Sequence, residues 1–376
     1  MHYNNLYTLL FISCIFILSC KTSQEEKPMQ KAEDPAYESF TIKAGTNISH
    51  WLSQSGRRGQ ERATFFTQAD VEYLADLGFD HLRFPVDEEQ MFDEAGNKEE
   101  EAFQLLHNAL GWCQKNGLRA IVDLHILRSH HFNAEDKPLW TEPAAQEKFI
   151  ALWRAFSAEF EQYPNGMLAY ELMNEPVADD PEDWNQLVAK AFSAIRELEP
   201  ERTIVIGSNR WQSADTFDEL NVPANDKNIL LSFHFYEPFL LTHYQASWTN
   251  LADYEGPVHY PGSIVQEDEY ASLSQEMKDM IGHRLQTYHK DTLAYMMRKP
   301  IRVAQETGLP LYCGEWGVIT SAPQEDRLRW YQDMKAIFEE NDIAYANWDY
   351  KSDNFGLLTN EGSRNSQLLE IVSSKK

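Results

Sequence analysis

Positive charge is scarce in this chain of 376 residues: 33 Lys and Arg stand against 59 Asp and Glu, a formal net charge of -26. The acids are spread over many segments, so the surface repels nucleic acid and anionic membranes, and it disfavours strongly anionic polymers as partners. A neutral partner fits best. Cysteine is nearly missing, with four in all. Cys313 falls in an apolar strand pattern and Cys113 on a helix pattern, which fits two buried thiols better than a disulfide. No Gly-rich phosphate fingerprint follows an early strand, which removes the main signal of a nucleotide-binding doubly wound sheet. There is no HExxH helix and no Cys/His zinc spacing, so His125, His130 and His131 read as a polar binding loop and no metal or other cofactor is called for.

Long apolar runs are missing too. The most apolar stretch, Leu9 to Leu18, is too short to span a bilayer but has the length of a signal-peptide core. It ends at Ile17-Leu18-Ser19-Cys20, which resembles a bacterial lipobox with Cys20 as the lipidated residue. The expectation is a leader over 1–19, then a polar tether over 20–38 that is too hydrophilic to fold. A lipoprotein of this form is exported and anchored to a bacterial outer membrane through Cys20 alone. Processing there discards Cys14.

What the chain has in quantity is aromatic residues, with 10 Trp, 17 Tyr and 20 Phe, and a steady alternation of strand and helix patterns from Phe40 to the end. Strands are expected over Ile42–Ile48, His81–Val86 (broken by Pro85), Leu118–Leu124, Met167–Met173, Thr203–Gly207, within Asn228–Tyr236, over Leu309–Gly314 and over Ala344–Trp348. Helices are expected over Gln68–Leu77, Glu101–Asn116, Ala144–Gln162, Asp183–Glu199, Asp291–Thr307, Asp326–Glu340 and Arg364–Val372. Eight strands alternating with helices predict an α/β fold, a (β/α)8 barrel over 39–376, with an aromatic insertion around 237–290.

Chemistry gathers at the strand ends, where such barrels place it. Tyr170-Glu171-Leu172-Met173-Asn174-Glu175-Pro176 carries a carboxyl out of the fourth strand, with Pro176 expected to stop the ladder. Taken alone, Asn174-Glu175-Pro176 reads equally as a turn capping a following helix. A second carboxyl, Glu315, lies in Leu311-Tyr312-Cys313-Gly314-Glu315-Trp316-Gly317 at the end of the seventh strand. Cleavage of a glycosidic bond needs two such groups. One protonates the leaving oxygen, and the other attacks the anomeric carbon or activates a water.

With Arg83 ending the second strand, His125 the third, His234 and Tyr236 the sixth and Trp348 the eighth, the chain resembles glycoside hydrolase family 5, the cellulase family, from about Gly45 to Trp348. The resemblance implies Glu175 as general acid/base and Glu315 as nucleophile of a retaining glycosidase. Arg83 would keep Glu315 charged, Tyr236 would steer it, and Asn174 would bind a sugar 2-hydroxyl. His125 and His234 would complete a polar floor, and Trp348 would carry the sugar at the cleavage point. On residue type alone, Arg83 also fits a structural ion pair and Trp348 core packing. Trp211, beyond the fifth strand, is a second candidate sugar platform, with core packing as its other reading. Among the insertion aromatics Phe239, His243, Tyr244, Trp248, Tyr254 and Tyr260, some are expected to line the cleft.

The family's commonest activity implies endo-β-1,4-glucanase, with β-mannanase or another hemicellulase as the alternative within the class. A transglycosylase differs only in how well the acceptor site excludes water. From another class altogether, a surface protein that captures glycans without cleaving them remains open.

Overall fold

Eight parallel strands close into a barrel in the computed structural model, which describes residue 1 and residues 37–282 and 285–373. The expected leader, Cys20 and nearly all of the tether lie outside the described residues. The barrel strands are β1 (Ala44–Asn47), β2 (His81–Asp87), β3 (Arg119–Ile126), β4 (Leu168–Glu171), β5 (Thr203–Gly207), β6 (Ile229–Phe235), β7 (Leu311–Trp316) and β8 (Ile343–Asn347). Each pairs with its neighbour in sequence and β8 closes on β1, with Ala44 opposite Tyr345. Helices follow most strands and bury their apolar faces against the outside of the barrel; Glu100–Lys115 and Pro143–Phe160 are the longest before β4. Cys113 and Cys313 are free, buried thiols.

The interior is layered, because alternate residues of a strand share a face. At the bottom Ile121, Ala169, Val205, Leu230 and Tyr312 form an apolar plug, and Phe40 and Ile42 pack against it. One step further along β3 and β4 the same inward face presents Asp123 and Glu171, which are paired in register and wholly buried. A charged layer thus sits on an oily one, directly beneath the barrel mouth. Backbone spacing is tight here: a Cβ on Gly45 would lie 2.5 Å from the His81 ring, so β1 needs glycine at that point.

Three boundary expectations are corrected. Pro85 does not break the second strand but sits inside β2, opposite Asp123. Arg83 O accepts from Ile48 N and Asp87 N donates to Leu52 O, so Pro85, between them, faces the same side, beyond the end of β1. Its missing N–H leaves no ladder bond unmade. Nor does Pro176 end the fourth strand, which stops at Glu171; an extended segment carries on, with Leu172 N bonded to Val205 O and Asn174 N to Leu124 O. Finally, the single helix expected over Asp291–Thr307 is two, Lys290–Met296 and Arg298–Thr307. Pro300 lacks the N–H that would bond Met296 O, and its ring crowds that carbonyl.

Candidate active site

Arg83 is the hub of the charged layer. Its Nε and Nη2 donate to Glu171 Oε2 and Oε1 at 2.7 and 2.9 Å, and Nη2 also lies 3.0 Å from Asp123 Oδ2. Nη1 donates to Glu315 Oε1 and to Asn47 Oδ1, both at 2.8 Å, and Nη2 reaches Asn174 Oδ1 at 2.9 Å. One guanidinium therefore fixes the carboxylate of β7 and the amide beyond β4 in a single frame. The ion-pair reading of Arg83 and the site reading are both true of it.

Glu315 is held from the other side by Tyr236, whose hydroxyl donates to Oε2 at 3.0 Å. Glu175 Oε1 lies 2.9 Å from His234 Nδ1. A carboxyl oxygen of Glu175, one of Glu315 and a ring nitrogen of His234 all fall within 4.8 Å of one another. So close an approach of the two carboxyls goes with the narrow gap, roughly 5–5.5 Å, of retaining glycosidases rather than the roughly 6.5–9.5 Å across which inverting enzymes hold a water. The same three residues have a donor set for a metal. Arg83 at 2.8 Å from Glu315 opposes a cation there.

Burial pushes the Glu175 carboxyl well up from its ordinary range, and the Glu315 charge adds to the rise. Burial also raises Glu315, but there the Arg83 guanidinium and the Tyr236 hydrogen bond pull the other way. The shared proton therefore belongs on Glu175. Burial, then Arg83 and His125, hold His234 well below its ordinary value, so its ring is neutral.

His125 stands on the opposite wall. Its Nδ1 is 2.7 Å from Asp123 Oδ2, and its Nε2 is 3.1 Å from Gln54 Nε2. Trp348 lies parallel to the His125 ring, centroids 5.6 Å apart and planes 9° off. Trp348 is mostly buried yet lines the cleft, so it is packed and presented at once. Trp211 is 43% exposed and lines the same cleft, which excludes its core reading.

The other aromatic expectations divide. Phe239, His243 and Trp248 line the cleft. Tyr254 and Tyr260 are buried, with hydroxyls on Pro257 O and Asp333 Oδ2, and Tyr244 donates to Gly256 O. The three histidines expected to form a polar binding loop divide, with His125 and His131 lining the cleft. His130 Nε2 accepts from Val177 N, and His131 stacks on Phe132.

Several site residues were missing from the sequence reading. Asp123 and Glu171 had a visible signal, since acids inside buried strands are seldom without a partner. Gln54 had none. It takes a left-handed backbone (φ 48°), its N–H is held by Asp87 Oδ2 at 2.7 Å, and its side chain enters the cleft beside His125.

The cleft has a volume of about 900 Å³ and takes in Glu175, Glu315, Trp348, Trp211 and Trp248 together. Residues 42–354 match the family model described as Cellulase (glycosyl hydrolase family 5). The chain belongs to glycosyl hydrolase family 5. Among relatives, Endoglucanase C of Acetivibrio thermocellus is 32% identical over 342 residues, covering 89% of this chain and 99% of that one. Cellodextrinase A of Ruminococcus flavefaciens is 29% identical over 304 residues, 80% of this chain and 83% of its own. The fold is also that of a solved endoglucanase (TM-score 0.71, 24% identity, 89% of this chain and 97% of that one). It is shared too by Thermotoga maritima Cel5A, solved with mannotriose (TM-score 0.70, 22% identity, 90% and 100%). As a family 5 member the chain is a retaining glycoside hydrolase. Its closed eight-stranded barrel, expected from the strand count, is the fold of that family.

Proposed function

We propose that this enzyme is an endo-β-1,4-glucanase in which Glu175 is the general acid/base and Glu315 the nucleophile. The observation that carries the roles is the asymmetry between the two carboxyls: Glu315 is bonded to a buried cation, and Glu175 faces a neutral imidazole. Oε1 of Glu315 is taken by Arg83, which leaves Oε2, steered by Tyr236, to attack the anomeric carbon. Glu175 gives its proton to the glycosidic oxygen as the C–O bond breaks and the shortened chain departs. A water then enters, Glu175 takes its proton, and the hydroxyl displaces Glu315 from the sugar. The Nδ1–H tautomer of His234 donates to Glu175 Oε1, which keeps the acid proton on the other oxygen. Asn174 has its Oδ1 bound to Arg83, so its amide N–H groups are left for the sugar 2-hydroxyl.

Protonated Glu175 and ionised Glu315 together predict a bell-shaped dependence of kcat/KM on pH. The alkaline limb reports Glu175 and lies above the ordinary carboxylate range, because burial and the Glu315 charge raise that group. In Glu175→Gln, assayed on an aryl glycoside whose leaving group needs no proton, the alkaline limb is expected to vanish while the acid limb stays. An unchanged alkaline limb in the variant would assign it to another group and remove Glu175 as the acid.

The glucan assignment draws on the endoglucanase and cellodextrinase relatives, together with a cleft flanked by Trp211 and Trp248. Its test is release of reducing sugar from soluble β-glucans, β-mannan, xyloglucan and xylan. The expected result is fastest cleavage within a β-1,4-linked glucan, with a rapid fall in viscosity as the mark of endo action. Preferential cleavage of β-mannan would overturn the substrate and leave the mechanism standing.

A further inference from the structure

The segment after β5 holds three successive residues in the left-handed region: Arg210 (φ 55°), Trp211 (φ 62°) and Gln212 (φ 52°). L-residues visit this region singly and at a cost, so a run of three is kept only where the surroundings impose it. Here the surroundings are the segment that carries Glu175. Asn209 makes two hydrogen bonds with the backbone of Ala178, both at 2.9 Å, and Trp211 N donates to Pro176 O at 3.2 Å.

The innermost tie is Gln212, which is fully buried. Its Nε2 points into three oxygens: Glu171 Oε1 at 2.8 Å, Met173 O at 3.2 Å and Asn174 O at 2.5 Å. Only the nitrogen end of the amide suits that place. The oxygen end lies against β5, where a Cβ on Gly207 would come within 2.2 Å of Gln212 Oε1. Glycine at 207 is thus the space that lets the amide in. One side chain bonds the carboxylate that pairs with Arg83 and the carbonyl next to Glu175. It also ends the strained turn that exposes the Trp211 ring in the cleft.

We propose that Gln212 is a positioning residue. Its buried amide sets the Trp211 ring against Glu175, so that stacking of the leaving-group sugar and delivery of the proton to its oxygen are aligned by one side chain. Trp211 sits on the leaving-group side because its backbone hangs from Pro176, next to the acid. The inference rests on the proposed reading of Trp211 as a sugar platform.

The test is a double-mutant cycle of Trp211→Ala and Gln212→Met, the latter keeping length while removing the donors. KM and kcat are measured on a hexasaccharide of the polymer that is cleaved and on an aryl β-glycoside with no sugar on the leaving side. Each single variant is expected to raise KM for the hexasaccharide about tenfold, on the scale of one lost ring contact. The double variant should be no more than about twofold worse than the worse single, because both changes remove the same contact. The effect on the aryl glycoside should be much smaller. Fully multiplied effects in the double variant would overturn the proposal, since Gln212 would then act independently of Trp211. A Trp211→Ala variant with unchanged KM for the hexasaccharide would instead remove the platform reading itself, whatever Gln212 does. Should the Met variant not fold, Gln212→Asn, which keeps the amide but cannot span to the Asn174 carbonyl, takes its place in the cycle under the same criteria.

Discussion

Glu315→Gln is expected to lose turnover by a factor on the order of 10⁴ to 10⁶, the range seen when an essential nucleophile is removed. In barrier terms that is about 5 to 8 kcal/mol. The reason lies in what replaces the carboxylate. A Gln amide has the same shape and still fits between Arg83 and Tyr236, which donate to Oε1 and Oε2 in the native enzyme. It has no charge to put on the anomeric carbon, so no glycosyl-enzyme forms. The fold should survive, because Arg83 keeps Glu171 and Asp123 as counter-charges. Binding should survive as well, since Trp348, Asn174 and Trp211 are untouched. Steady-state rates on the cleaved polymer, with calorimetric titration of an oligosaccharide into wild type and variant, check both halves. A kcat within tenfold of wild type would remove Glu315 as nucleophile. A protein that only captured glycans would show no turnover in either form.

The strand ends were legible in the sequence because parallel strands, buried on both faces, read as apolar runs with sharp limits. Thr203–Gly207 matches β5 residue for residue. The polar residues at those ends then fall around one mouth, as Arg83, Asn174, His234 and Glu315 do. Other features depend on contacts no local pattern encodes. Gln54 meets His125 across 71 residues of sequence, and Gln212 meets Asn174 across 38, each from a left-handed backbone that Gln has no propensity to adopt. Pro176 is a poor guide here, because a proline just past a strand reads as the cause of its end. β4 ends at Glu171, whose side chain turns inward to Arg83, and the extended segment beyond it stays bonded to β5 and β3 as far as Asn174. Glu171 is an acid inside an apolar strand, and a buried acid is a demand for a cation. Arg83, 88 residues earlier on β2, answers it.

That demand makes Arg83→Met the most destabilising single change expected in the barrel. The cation is wholly buried among Glu171, Asp123 and Glu315, and its charged form is favoured by all three against the effect of burial. Removing it leaves carboxylates in a dry layer with neutral hydrogen-bond partners but no counter-charge, for which about 3–5 kcal/mol is the usual loss. The loss should depend on pH, and its sign follows from the acids. Burial raises Asp123 to about 7 even with Arg83 opposing it, and Glu171 is raised for the same cause. A folded-state value above the unfolded one favours the folded state at low pH, and that advantage is lost as pH rises from about 4, where the unfolded acid titrates, to the folded value. Without Arg83 the folded values climb further, so the gap between variant and wild type should hold level while both folded forms keep the Asp123 proton and widen from about pH 7, where the wild-type group gives it up, to about pH 9. Urea unfolding at several pH values measures it. A gap that stayed constant across that range would mean that the buried acids do not take up protons when the arginine is gone, and that the charged layer is balanced by something other than Arg83.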